Sequence, residues 1–129
     1  MQEYRRCAAP AERMKDKARR NLDATRILLA AANVDPAMSR LYYALFQACV
    51  HHFECRGMRP SALGPYSEWK HSTVRNHVYR IRRRHDDVVL LRLAYTLRSQ
   101  ADYAAEPVDG MTVAKLVFRA EDFVREACK

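Results

Sequence analysis

The residues best suited to chemistry in this chain are an arginine and a histidine separated by four positions, Arg80 and His85. Cleavage of RNA without a metal needs a base that activates the 2′-hydroxyl and a cation that stabilises the phosphorane. Histidine is the side chain whose ordinary pKa suits the base at neutral pH. An arginine and a histidine on one helical face would supply both functions, so Arg80 and His85 are the candidate catalytic residues if the chain cleaves RNA, with His71 as the alternative base.

Cationic side chains crowd the same stretch of the sequence. The chain has 23 Lys and Arg against 15 Asp and Glu, which gives a formal net charge of +8 and favours anionic partners. The guanidinium group of arginine can donate two hydrogen bonds to the oxygens of one phosphate. This cationic stretch therefore predicts an RNA- or phosphate-binding stripe; the alternative is a solvated helix surface. The stripe comprises Lys70, Arg75, Arg82, Arg83 and Arg84.

The cysteines and nearby histidines raise the question of a metal site. Cys49, His52 and Cys55 follow one another at three-residue steps, with His51 beside them, but these steps spread the side chains around a helix and would require a fourth ligand from elsewhere. Packing of this set in the core is the favoured interpretation. We therefore expect no metal and no cofactor, and four free thiols including Cys7 and Cys128.

The amino-acid composition and the positions of helix-starting and helix-ending residues predict an all-α chain. Only 3 Gly and 5 Pro occur among 129 residues, too few for the turns of an all-β fold. Apolar side chains recur at helical spacing, Gly57 suits a helix end, and Asp35 and Thr112 suit helix starts. We expect five helices, over about residues 11–32, 35–56, 67–84, 88–101 and 113–124, with a loop over 58–67.

A chain of 129 residues is expected to form one domain over residues 1–129, in which residues 1–10 are a flexible tail. No apolar run approaches the roughly 18 residues that span a bilayer. The N-terminal stretch carries charges where a signal peptide needs apolar residues. We therefore expect a cytoplasmic protein without a membrane partner.

Two short runs carry a family resemblance. The second predicted helix contains Ser39-Arg40-Leu41-Tyr42-Tyr43-Ala44-Leu45-Phe46, and the end of the fourth contains Arg98-Ser99-Gln100-Ala101-Asp102-Tyr103. Lys70-His71 lies between them and Ala120-Glu121-Asp122-Phe123 follows them. In this order the runs resemble those of HEPN proteins, and the resemblance covers roughly residues 14–127.

The resemblance implies a five-helix, antiparallel up-and-down bundle that dimerises through the second helix and the Arg98–Tyr103 segment. Active HEPN ribonucleases carry an arginine-to-histidine motif late in the bundle, near Arg98, but here Tyr103 stands in place of that histidine. Arg98 is therefore the alternative to Arg80 as the catalytic cation. Tyr103 matches a tyrosine to which a nucleotidyltransferase partner attaches AMP.

Two functions follow from the resemblance. In the first, the chain is an RNA- or nucleotide-binding half of a bacterial toxin–antitoxin or defence pair, and a metal-independent ribonuclease if it has catalytic activity. In the alternative, it is a non-catalytic helical module that binds a partner protein such as a minimal nucleotidyltransferase.

Overall fold

A computed structural model describes residues 7–60 and 68–129, and all regular structure in this part of the chain is α-helical. The all-α prediction is therefore confirmed. Six segments occur: α1 (Ala9–Ala30), α2 (Val34–Cys55), α3 (His71–His77), α4 (Tyr79–Arg82), α5 (His85–Tyr103) and α6 (Gly110–Ala127). Since α3 and α4 meet at Val78, they together occupy the place of the expected third helix.

Helix α2 forms the centre of the bundle. Met38, Leu41, Tyr42 and Leu45 are all at most 1% exposed, and apolar side chains continue along it to Phe53. A helix that is apolar over most of its circumference must be covered by neighbours, and α1, α5 and α6 all pack against α2. Side chains of α2 therefore face the helices that surround it, and a site can form where these helices meet α2.

The third predicted helix is divided and shorter than expected. Helix α3 begins at His71, α4 ends at Arg82, and Arg83 has a left-handed backbone with φ of 58°. A non-glycine residue in this region ends a helix sharply. The expectation of one continuous helix over 67–84 is thus wrong, and Arg84 leads directly into α5. Residues 61–67 of the expected loop lie outside the described part of the chain.

Two of the expected helix caps are made differently. Asp109, rather than Thr112, caps α6: its carboxylate accepts from the Thr112 backbone N–H at 3.0 Å. Asp35 does not cap its own helix, since α2 begins one residue earlier with Asn33 at the cap position. The Asp35 Oδ1 atom instead accepts from the backbone N–H of Val108 at 2.8 Å. Gly57 does follow α2 in a left-handed conformation, with φ of 79°.

The prediction of four free thiols is wrong for two of them. Cys7 and Cys55 form a disulfide that joins the start of α1 to the end of α2, while Cys49 and Cys128 are free and buried. Part of the expected N-terminal tail is therefore fixed, because Cys7 is cross-linked and α1 begins at Ala9. Residues 1–6 of that tail lie outside the described residues. None of the described helices is both long and apolar enough to cross a membrane.

Candidate functional site at the junction of α2, α3 and α5

Arg98 on α5 lies against a group of tyrosines. Its guanidinium carbon is 5.4 Å from the ring centres of Tyr42 and Tyr95 and 5.8 Å from that of Tyr43. The arginine side chain is only 11% exposed, and its Nη1 lies 3.3 Å from Asp102 Oδ2. Cation–π contacts of this kind hold a positive charge in a partly desolvated place. Burial opposes that charge, but Tyr43 and Asp102 outweigh it and raise the pKa of Arg98.

The Arg98 side chain keeps an unused donor. Within the described part of the chain, its buried Nε atom has no hydrogen-bond partner. Arginine has five N–H donors in a fixed fork, and only one hydrogen bond, to Asp102, engages them here. A buried donor without a partner is costly, so the Nε atom of Arg98 is an energetically unfavourable feature of this cluster.

His71 opens α3 directly over the same tyrosines. Its Nδ1 lies 2.5 Å from the hydroxyl oxygen of Tyr42, and its ring centre is 4.9 Å from that of Phe46. Burial, then the charges of Arg98 and Arg75, lowers the pKa of His71. Burial raises the pKa of the Tyr42 phenol. At neutral pH both groups are therefore uncharged, and the phenol can donate its proton to Nδ1, which leaves Nε2 as the protonated ring nitrogen.

An open cavity lies beside this cluster. Its volume is about 530 Å³, and Ser39, Arg40 and Tyr43 of α2 line it together with Asp102 of α5. The volume falls within the range of small-molecule sites. Tyr43 belongs to both features, since its ring centre lies 5.8 Å from the Arg98 guanidinium carbon and the residue lines the cavity. The structure thus brings together the two sequence runs that carry the family resemblance.

Arg80 and His85 do not share a helix. Arg80 belongs to α4 and His85 begins α5, and the left-handed Arg83 lies between the two helices. Both side chains are exposed. The expected placement on one helical face is therefore wrong, whereas His71 and Arg98, the alternatives, both contact Tyr42.

The predicted phosphate stripe is divided among different environments. Arg82 is engaged inside the protein, with Nη2 2.6 Å from Asp87 Oδ1 and Nη1 2.6 Å from Asp122 Oδ2. Arg75 joins the α2–α3–α5 cluster, with its guanidinium carbon 4.4 Å from the Tyr95 ring centre. The remaining members are exposed: Lys70, Arg83 and Arg84.

Tyr103 is 82% exposed at the last residue of α5. Tyr103 is therefore not buried against the other helices of the bundle. Arg98 and Asp102, four residues apart on α5, form an ion pair.

No protein-family model matches this chain, and no curated protein matches it. The HEPN resemblance accordingly rests on the sequence runs, and the site on its geometry.

Sequence reasoning missed two members of the cluster, Tyr95 and Phe46, as site residues. Tyr95 precedes Arg98 by three residues, which places both on one face of α5. Phe46 follows Tyr42 by four residues on α2. Helical spacing thus contained the signal for both. The sequence carries no signal for the Tyr42–His71 hydrogen bond, because this bond joins residues 29 apart.

Proposed function

We propose that this chain is a HEPN-type antiparallel up-and-down bundle that binds RNA or a nucleotide at the α2–α3–α5 junction, as one half of a bacterial toxin–antitoxin or defence pair. The observation that carries the proposal is the convergence of Arg98 and His71 on Tyr42, beside a cavity of about 530 Å³. The net charge of +8 supports an anionic ligand.

Arg98 is the phosphate ligand in this proposal. Its guanidinium donates to Asp102 through Nη1 and has further N–H donors, and charge-assisted hydrogen bonds to phosphate are stronger than neutral ones. Arg40 at the cavity and Arg75 at Tyr95 add positive charge to the same junction. The Tyr43 ring at the cavity wall offers a surface on which a base can stack.

His71 is the base if the bound RNA is cleaved. Its lowered pKa keeps the imidazole neutral at pH 7, and a neutral ring can accept the proton of a 2′-hydroxyl. To take up the proton at Nε2, the imidazole must carry its own hydrogen on Nδ1. In that tautomer Nδ1–H donates to the Tyr42 hydroxyl oxygen, which reverses the direction of the hydrogen bond. Arg98 would stabilise the negative charge on the phosphorane.

A binding experiment with matched arginine variants tests the first step. Arg98→Gln should weaken the affinity for a labelled single-stranded RNA at low salt by about 10- to 100-fold, the effect of one charge-assisted contact. Arg80→Gln removes the same charge from an exposed position and should change affinity by less than about threefold. Circular dichroism should show the native helix content in both variants.

Two results would contradict the site. An absence of RNA or nucleotide binding by the native chain at low salt would overturn the proposal. A larger loss in Arg80→Gln than in Arg98→Gln would move the binding site to the α4–α5 corner.

Cleavage is tested with matched histidine variants. Loss of a general base costs about 10²- to 10⁴-fold in rate, so His71→Gln should abolish cleavage while His85→Gln retains it. Retained cleavage in His71→Gln would exclude His71 as the base. Binding without cleavage by the native chain would restrict the function to RNA or nucleotide binding.

The alternative function, a non-catalytic module that binds a nucleotidyltransferase, is favoured by a different surface. Phe118 and Met111 on α6 and Ile27 on α1 are 75%, 67% and 69% exposed. A cavity of about 360 Å³ between α1 and α6 has an apolar lining that includes Phe118. Exposed apolar side chains on neighbouring helices are typical of protein interfaces, and Phe118 belongs both to this group and to the cavity lining.

The exposed Tyr103 hydroxyl gives this alternative a direct test. Co-expression with a minimal nucleotidyltransferase encoded beside the chain should add AMP to Tyr103, detected by mass spectrometry of the intact chain and its peptides. Tyr103→Phe should remain unmodified, whereas Tyr79→Phe, which removes another exposed tyrosine, should be modified normally. AMP on another residue would exclude Tyr103 as the acceptor.

A further inference from the structure

The start of α1 and the end of α2 bring four metal-binding side chains together, away from the Arg98 cluster. They are Cys7, Glu12, His51 and Cys55, and their ligand atoms all lie within 4.8 Å of one another. His51 is only 2% exposed. Two of these residues come from each of two chain segments about forty residues apart in the sequence, so the group exists only in the folded chain.

The donor atoms match the chemistry of zinc. Two sulfurs, one imidazole nitrogen and one carboxylate oxygen form a set of four, and Zn²⁺ in proteins takes four ligands of these types in a tetrahedron. The mixture is too rich in sulfur for Mg²⁺ or Ca²⁺, which take oxygen ligands.

The His51 ring and the Cys55 sulfur are close enough to share one ion. The His51 Nε2 atom lies 3.6 Å from Cys55 Sγ. With Zn–S of about 2.3 Å and Zn–N of about 2.0–2.1 Å, adjacent sulfur and nitrogen ligands stand about 3.6 Å apart. Cys55 Sγ also lies 3.7 Å from Nδ1, so after reduction of the disulfide the Cys55 side chain must rotate toward the Nε2 lone pair for one ion to bind both atoms.

The surroundings of the group hold its ligands in the orientation that a metal needs. The His51 Nδ1 atom lies 2.6 Å from the carbonyl oxygen of Ala11, and a carbonyl can only accept, so Nδ1 carries the hydrogen. This leaves the Nε2 lone pair available for a metal, which is the usual arrangement of a histidine ligand. Lys15 lies 3.1 Å from Glu12 Oε2 and leaves the second carboxylate oxygen available.

We propose that the reduced chain binds one Zn²⁺ through Cys7, Glu12, His51 and Cys55, and that the Cys7–Cys55 disulfide is the metal-free, oxidised form of the same site. A dithiol reductant supplies two electrons and two protons, which convert the disulfide to two thiols while the dithiol itself becomes a disulfide. Zn²⁺ then displaces both thiol protons and binds the two thiolates. In each form the site links α1 to α2.

The proposal is tested by metal titration of the full-length chain. The protein is reduced with a dithiol, freed of reductant without oxygen, and titrated with Co²⁺ and then Zn²⁺ against a chromophoric chelator. We expect one equivalent of tetrahedral Co²⁺ with a thiolate charge-transfer band, displaced by Zn²⁺, and about two protons released per Zn²⁺. The oxidised chain should bind neither ion at this site.

Variants identify the ligands. In the reduced chain, where no disulfide is lost, Cys7→Ser should weaken Zn²⁺ binding by about 100-fold or more, and Glu12→Gln by about tenfold. Cys128→Ser, which removes one of the other cysteines, should bind as the native chain does. The proposal is overturned if the reduced chain binds no Zn²⁺, if the oxidised chain binds it equally well, or if Cys7→Ser binds it with native affinity.

Discussion

His52 is a buried histidine whose protonation should destabilise the folded chain. It is 6% exposed, and its Nδ1 has no hydrogen-bond partner among the described residues. Burial, with a smaller contribution from Arg56, lowers the pKa of His52 from 6.5 to about 4. The unfolded chain therefore takes up a proton near pH 6.5, whereas the folded chain does so only near pH 4.

This difference predicts acid sensitivity. The stabilising contribution of neutral His52 is complete above pH 6.5 and is lost as the pH falls toward 4, by about 3 kcal/mol in the free energy of unfolding. Urea titrations at several pH values should show this decline in the native chain and a shallower one in His52→Gln. His85→Gln, altered at an exposed histidine, should keep the native slope. Parallel curves for the native chain and His52→Gln would contradict the prediction.

Arg82 neutralises a buried carboxylate. Asp87 is 1% exposed, and Arg82 binds it with two hydrogen bonds, of 3.0 Å from Nε and 2.6 Å from Nη2. Hydrogen bonds to Asp87 first, and to Asp122 as well, outweigh burial and raise the pKa of Arg82. The residue expected to bind phosphate therefore has a structural role, joining the α4–α5 corner to α6.

Removal of Arg82 should leave the Asp87 charge buried and uncompensated. We expect Arg82→Ala to lower the free energy of unfolding by about 3 kcal/mol at pH 7, measured by urea denaturation. Arg80→Ala, on the exposed side of α4, should change it by less than about 0.5 kcal/mol. The double variant Arg82→Ala/Asp87→Asn should recover part of the loss, and a failure to recover any would argue against the unpaired charge as its cause.

At the scale of the helices, Asp35 shows how one side chain joins separate elements. It lies in the first turn of α2 and accepts a hydrogen bond from the backbone N–H of Val108, which is 4% exposed. This contact anchors the connection between α5 and α6 beside the candidate cavity, of which Asp35 is also a lining residue.

Loss of the Asp35 acceptor should loosen that connection. Asp35→Ala leaves the Val108 N–H without this partner, and we expect it to lower the free energy of unfolding by about 1–3 kcal/mol. Asp35→Asn retains an acceptor oxygen and should lose less. Hydrogen exchange at the Val108 amide provides the local readout. Equal losses in both variants would indicate that charge, and not the hydrogen bond, is responsible.

At the scale of the whole molecule, the Cys7–Cys55 disulfide constrains the unfolded chain. The two residues are 48 positions apart, and closing a loop of this length stabilises a folded protein by up to about 4 kcal/mol in the chain-entropy model. Cys7→Ser should therefore lower the thermal midpoint of the oxidised protein. Cys128→Ser lies outside the loop and should lower it less. Equal midpoints for the native oxidised chain and Cys7→Ser would contradict the prediction.

Dimerisation is expected through α2 and the Arg98–Tyr103 segment. The 82% exposure of Tyr103 and the open cavity between α2 and α5 leave this face accessible to a second copy. Sedimentation velocity at micromolar concentration should show a dimer for the native chain and a monomer for Tyr103→Arg. Phe118→Arg, on the surface formed by α1 and α6, should remain dimeric. A monomeric native chain would contradict the prediction, and a monomeric Phe118→Arg would place the interface on α6.

The local sequence of this protein determined most of its helices. Apolar side chains at helical spacing located α1, α2, α5 and α6 to within a few residues, because amphipathic periodicity and helix stops act within one element. The cationic crowding over residues 70–85 and the Arg98–Asp102 pair were visible for the same reason.

Only the tertiary structure decided which of these residues meet. The left-handed Arg83 separates Arg80 from His85, and Arg82 turns inward to Asp87. Tyr42 and His71 are 29 residues apart in sequence, and Cys7 and Cys55 are 48 apart. Such pairs are set by how α2 packs against its neighbours, and spacing within a helix carries no information about them, because each contact depends on the relative position of two separate elements.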